Sequence, residues 1–340
     1  MKRPFSYSKL LRICFFVGLI STGIVLSLPL VLAVQVRSQQ TQSTPLSSGQ
    51  FPVTVDPRNK SIVENVQVNA FLTSPSSPYQ ASVDTVQGAF TKIFNWLALT
   101  IAGSGWYQSI AAANGRFVVI TAGMRKEQVA QQFGIALGWN IQQKQQFLTP
   151  GKYASLPLAE GSFYPGIYVV SAGDTPLTAQ ALVNDRFNAE VLSHYGTTTA
   201  AIVPLNEALT IASLIQREAG GPNDMRVISG IIWNRLFANM NLQIDATLQY
   251  AEASKPNVQS WWPEVVPADL RVNSAYNTYT HSGLPPTPIA SPSVAAILAA
   301  LNPVNTSCVF YFHDANGGFH CSDTYAEHVA LLKKYYGTGK

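Results

Sequence analysis

The sequence predicts an α+β protein: a membrane-anchored ectodomain in which a small α/β module precedes a larger mixed α/β domain. Three observations carry this. Ile13 to Val34 is a run of 22 residues without a charge, long enough to cross a bilayer as a helix. Arg116 to Leu148 reads as a short buried-type strand followed by two helical patterns. From Asn206 onward apolar residues recur at helical spacing, punctuated by capping residues and one hairpin signature.

The elements follow in order. Lys2, Arg3, Lys9 and Arg12 precede the charge-free run, and no acid occurs before Asp56. The positive-inside rule therefore makes 1–12 a cytoplasmic tail, 13–34 a transmembrane helix and the remainder extracytoplasmic. A cleaved signal peptide ending at Val31-Leu-Ala33 is the rival reading, although the run exceeds the usual signal core; both readings export the rest of the chain. Residues 35–52, rich in Gln, Ser and Thr, read as a flexible linker. Residues 53–158 form the region of the small module, with a clear pattern only over 116–148, and Val83 to Leu99 has helical spacing. Phe117–Thr121 is the strand. The first helix, Arg125 to Leu137, spaces Val129, Phe133 and Ile135 or Leu137 on one face, and Asn140–Phe147 is the second.

The second domain is expected over 159–340. It opens with a turn and strand from Glu160 to Tyr168 and a helix from Asp185 to Tyr195. Leu209 to Gly220 is a helix stopped by Gly220-Gly221-Pro222. Asn223 is expected to cap the next helix, which buries Val227, Ile228, Ile231, Ile232 and Leu236. Asp245 is a candidate cap for the helix after Leu242–Thr247. Trp261-Trp262-Pro263 sits in a loop, and Asn273–Pro288 is a long loop rich in Tyr, Asn, Thr and Pro. Ser291 followed by Pro292 reads as an N-cap opening a helix to Leu301. Cys308–Phe312 is a strand, Asp314–Gly318 a turn, and Thr324–Tyr336 the last helix, closed by Gly337.

Composition narrows the function. The net charge of +4 comes from the N-terminal flank; beyond residue 12, Lys plus Arg equals Asp plus Glu at 18 each. A neutral ectodomain argues against a nucleic-acid binder and suits a partner read by hydrogen bonds and stacking, such as a carbohydrate. Cys14 lies in the apolar run. Cys308 and Cys321 flank the hairpin outside the cytoplasm, where either a disulfide or two buried thiols fits. His313, Asp314, His320, Cys321 and His328 match no zinc spacing, so neither metal nor cofactor is expected.

One carboxylate stands out. On a 3.6-residue period Glu218 shares a face with Leu214, Ile215 and Ile211, in the last turn of its helix. Desolvation and the negative end of the helix dipole both disfavour its charged form, as a general acid at neutral pH requires. A Glu at a helix end that bends out to solvent is the competing reading.

Four stretches occur in a telling order: Ile211-Ala-Ser-Leu-Ile-Gln-Arg-Glu218, Leu242-Gln-Ile-Asp-Ala-Thr247, Tyr276-Asn-Thr-Tyr-Thr-His-Ser-Gly-Leu-Pro-Pro286 and Pro288-Ile-Ala-Ser-Pro292. Together they resemble the successive motifs of the YceG-like family of endolytic murein transglycosylases, over about residues 116–336. The resemblance implies a bacterial protein of the cytoplasmic membrane with a LysM-like module before its catalytic domain. It also implies an enzyme that cuts peptidoglycan glycan strands internally, leaving 1,6-anhydro-MurNAc ends, next to cell-wall synthases. By position Glu218 matches the catalytic glutamate. Gln243, Asp245, Tyr276, Asn277, Thr278 and Tyr279 match substrate-cleft positions. Three departures accompany the match. Gln216 stands where the family often has a second Glu. The family's Gly-Gly-His-x-Phe turn is Gly317-Gly-Phe-His-Cys321, which puts His320, the remaining cleft candidate, one place late. Residues 53–110 do not align with the LysM-like half.

The chemistry implied needs only one carboxyl. Hydrolytic glycosidases pair two carboxylates. A lytic transglycosylase uses the tethered 6-hydroxyl of the muramyl sugar as nucleophile, so proximity replaces an activated water. The alternative to an enzyme is a non-catalytic glycan-binding or scaffolding protein of the wall machinery.

Overall fold

A computed structural model describes residues 49–74, 115–149 and 159–337. The tail, the transmembrane run, most of the linker, Cys14 and the Val83–Leu99 helix lie outside the described residues. Among the described residues no helix is long and apolar enough to cross a membrane. The fold is α+β: ten α-helices and three two-stranded antiparallel sheets are described.

The chain enters through a short hairpin, β1 (Val55–Asp56) and β2 (Ser61–Ile62), and helix α1 (Val66–Thr73), capped by Asn65. These residues were expected in the linker and the small module. They pack instead on the core of the larger unit, because Phe51, Val55 and Leu72 are buried there. Backbone and side-chain bonds fix them: Thr54 N donates to Leu301 O (3.0 Å), and Asn302 Nδ2 to Pro52 O (2.8 Å).

The small module is strand, two helices, strand. β3 (Arg116–Ile120) pairs in antiparallel register with β4 (Gly166–Val170), with Val118 opposite Tyr168. Between them lie α2 (Lys126–Leu137), ended by left-handed Gly138, and α3 (Ile141–Leu148), capped by Asn140. Val129, Phe133, Phe147, Phe163 and Tyr168 form its core, where the rings of Phe133 and Phe147 lie 4.9 Å apart. Leu137, not Ile135, completes the inward face of α2; Ile135 is exposed. β4 thus belongs with β3, across the boundary expected at 158/159. The next helix, α4 (Pro176–Glu190), also contributes Ala179 and Val183 to this core. It starts nine residues before the predicted Asp185, since Thr175 caps it and Pro176 takes the first position.

The larger unit is built round α6 (Leu205–Glu218), reached through a 3₁₀ turn (Leu192–His194) and α5 (Thr197–Ile202). α6 packs on α7 (Pro222–Phe237), α8 (Asp245–Ala253) and α9 (Val294–Leu301). Every residue of α9 is buried, as an all-apolar helix requires. Three predicted caps are corrected. Pro222 opens α7, and Asn223 is an exposed residue of its first turn; Asp224 does the capping, accepting from Gly220 N (2.9 Å) and Gly221 N (3.1 Å). Asp245 is the first residue of α8 and makes no capping bond. Ser293, not Ser291, caps α9. Ser291 exchanges two backbone bonds with the small module, donating to Met124 O and accepting from Gly123 N, both 2.8 Å.

The chain ends with a hairpin and a helix: β5 (Phe310–His313), β6 (Phe319–Ser322) and α10 (Tyr325–Tyr336), capped by Thr324 and closed by left-handed Gly337. Cys308 and Cys321 are joined in a disulfide.

Candidate active site

Glu218 is the last residue of α6. Ile211, Leu214 and Ile215 anchor its face of the helix in the core, leaving Glu218 half-buried. Its neighbours Gln216 and Arg217 turn elsewhere, as the helical period requires: Gln216 Oε1 accepts from Ser293 N (3.0 Å), and Arg217 lies over the Trp262 ring at 3.9 Å. The carboxylate therefore stands apart from its sequence neighbours, in a cavity of about 420 Å³.

Two tyrosine–carboxylate pairs line that cavity. Tyr311, from β5, donates to Glu218 Oε2 at 2.7 Å; Tyr279, from the long loop, donates to Asp245 Oδ1 at 2.6 Å. Burial raises the Glu218 pKa, the Tyr311 hydrogen bond opposes this, and the charge of Asp245 raises it further; the Ala246 amide and Arg217 pull the other way. The net direction is up, which suits a proton donor. Burial and the adjacent Glu218 drive the Tyr311 hydroxyl well above its ordinary value, so it stays a neutral donor.

Arg235 ties the walls together. It is buried, and donates to Val309 O (2.6 Å) on the hairpin side and Leu242 O (2.7 Å) on the other. Gln243 is exposed at the mouth with left-handed backbone (φ 54°), its N–H on Thr278 O (3.0 Å). His313 also lines the cavity. Its Nε2 donates to Asp224 Oδ2 at 2.7 Å, bracing the Gly220–Gly221 turn that follows Glu218.

Of the residues matched to the cleft, Gln243, Asp245 and Tyr279 share the cavity with Glu218. Asn277, Thr278, Tyr276 and His320 do not line it. Asn277 and Thr278 are buried struts: Asn277 Nδ2 donates to Val272 O (2.8 Å), and Thr278 Oγ1 accepts from Ile244 N (3.0 Å). Tyr276 packs on Tyr250 and bonds Thr287 Oγ1 (2.7 Å). His320 turns to the other side of the hairpin, where its Nε2 meets Asp314 Oδ2 (2.8 Å) and its ring meets Tyr335. Among the described residues no His/Cys/Asp/Glu cluster could hold a metal ion. Sequence reasoning missed Tyr311, His313 and Arg235. The two-residue alternation of β5 was the available signal, since it puts Tyr311 and His313 on one face.

Residues 93–334 match the model of the YceG-like family. Two curated relatives carry the name endolytic murein transglycosylase. One, from Bacillus subtilis (strain 168), is 32% identical over 178 residues, covering 52% of this chain and 48% of the relative. The other, from Streptococcus pneumoniae serotype 2 (strain D39), is 30% identical over 162 residues, covering 47% and 29%. The matches thus span less than half the length of either relative. The 2.6 Å crystal structure of a YceG-like protein from Listeria monocytogenes superposes with a TM-score of 0.55 at 23% identity, over 70% of this chain and 81% of that one, a likeness of fold.

Proposed function

Since this chain belongs to the YceG-like family, we propose that it is an endolytic murein transglycosylase. It cleaves the MurNAc–GlcNAc bond and leaves a 1,6-anhydro-MurNAc end. The observation that carries this reading is the setting of Glu218: a half-buried carboxyl with its pKa raised, held by one tyrosine at 2.7 Å, in a cavity large enough for sugar rings. Glu218 first protonates the departing glycosidic oxygen. The resulting carboxylate then takes the proton of the muramyl 6-hydroxyl as that oxygen closes on the anomeric carbon, so the acid is regenerated and no water is consumed. The negative charge of Asp245 beside it favours the protonated form of Glu218. Gln243 and Tyr279 offer an amide and a ring for the acetamido sugars.

The remaining parts of the reading have separate support. The charge-free run at 13–34 with its basic flank favours a single-pass anchor in the bacterial cytoplasmic membrane and an outward-facing catalytic unit. The strand–helix–helix–strand order of the small module favours a LysM-like role in gripping glycan. Cell-wall synthases are partners by the logic of where such a cut is made.

The test incubates the purified full-length chain and its Glu218→Gln variant with murein and analyses the products by mass spectrometry. Anhydro-muropeptides from the parent and a loss of about 10²- to 10⁴-fold in the variant are expected. No products from the parent favours a non-catalytic scaffold, equal yields remove Glu218 from the mechanism, and hydrolysed reducing ends overturn the tethered-nucleophile mechanism.

A further inference from the structure

The cavity has an aromatic side that the proton chemistry does not use. Phe310 of β5 and Tyr325 and His328 of α10 all line it. The Phe310 ring stacks on His328 at 5.4 Å and meets Tyr325 at 5.8 Å, and Tyr325 and His328 are 6.5 Å apart, so the three rings form one aromatic cluster at the cavity edge. Tyr325 is 62% exposed, which leaves its ring open to solvent. His328 Nδ1 is buried without a hydrogen-bond partner among the described residues. Burial and then Arg235 lower the His328 pKa, so the ring is neutral and carries one N–H. An orphaned buried N–H is rarer than an orphaned acceptor, which puts that proton on Nε2.

We infer that Phe310, Tyr325 and His328 form a sugar-binding shelf beside Glu218, taking the apolar face of one pyranose ring of the glycan strand while His328 Nε2–H donates to a sugar oxygen. The inference rests on the glycan-cleaving reading above. A pyranose suits the site because one face presents C–H groups to the rings and its rim presents acceptors. The shelf holds a ring next to the bond being cut and takes no part in proton transfer.

The experiment titrates the full-length chain in mild detergent, carrying Glu218→Gln to prevent turnover, with a peptide-free murein oligosaccharide of six sugars, followed by calorimetry. His328→Phe keeps the ring stack and deletes the donor; Tyr325→Ala removes an exposed ring. Each is expected to weaken binding by about 3- to 10-fold. With Glu218 restored, each raises KM while kcat stays within about twofold, as loss of uniform binding predicts. Should His328→Phe fail to fold, as a melting curve would reveal, Tyr325→Ala still decides the matter. Unchanged affinity in the folded variants overturns the shelf and leaves the catalytic reading intact. No binding by the parent with its shelf unaltered overturns the catalytic reading itself.

Discussion

At the residue scale two of the opposed influences on the Glu218 carboxyl can each be removed alone. Under the proposed function Glu218 works in its protonated form, so activity is expected to fall as pH rises through its raised pKa. Asp245→Asn deletes a negative charge that keeps the proton on; Glu218 then ionises more readily, and the alkaline limb of kcat/KM moves to lower pH. Tyr311→Phe deletes the 2.7 Å bond that favours the ionised form, and the same limb moves to higher pH. Opposite displacements in the two pH–rate profiles are the expected result; a common direction would contradict the assignment of both residues. Glu218 was legible in the sequence because a helical period exposes an acid on an apolar face. Tyr311 was not, since its pairing with Glu218 joins residues 93 positions apart and only the folded hairpin brings them together.

At the scale of elements, the wall carrying Tyr311 is a four-residue strand paired with β6 and held by a covalent link and by helix packing. The Cys308–Cys321 bridge closes a loop of 13 residues, so the Cys308→Ser/Cys321→Ser variant is expected to lose about 2–4 kcal/mol in denaturant titration. Gly230 in the middle of α7 faces the Val304 carbonyl, which a Cβ would meet at 2.3 Å. Gly230→Ala therefore overpacks the junction between α7 and the strand approach, and costs about 1–3 kcal/mol by the same measurement. The helices themselves were largely readable: α2, α6 and α10 lie within four residues of their predicted limits because their apolar periodicity is clear, and a left-handed Gly closes α2 and α10. Two of the three caps that failed, Asn223 and Ser291, share a cause. A neighbour one or two residues away, Asp224 or Ser293, reached the free N–H groups instead.

At the scale of the whole molecule, the two cores meet at a buried acid. Glu160 accepts from Lys126 N (3.0 Å) in the small module and from the Tyr250 hydroxyl (3.2 Å) of α8. Burial, reinforced by Glu127, pushes its pKa up to about 8. The folded chain therefore holds a proton that the unfolded chain releases near the ordinary carboxylate value of 4.5. Stability falls as pH rises from about 4.5 to about 8, by on the order of a few kcal/mol at most, and levels off above. Glu160→Gln should flatten that slope in melting temperature against pH; an unchanged slope would remove Glu160 from the linkage. This junction was not visible in the sequence. Glu160 read as part of a turn, and the boundary drawn beside it divided β3 from β4, because strand pairing across an intervening pair of helices leaves no local mark.

The corner between α6 and α7 has a mechanical consequence. Glu218 ends one helix, Pro222 begins the other, and Asp224 clamps the Gly220–Gly221 turn between them. A side chain in mid-helix is carried along whenever its helix tilts. One at the vertex of two rods sits at their hinge point, where tilting either rod produces the least displacement. Under the proposed function the acid therefore sits at the vertex of the pair, where rotation of either helix about the turn displaces it least.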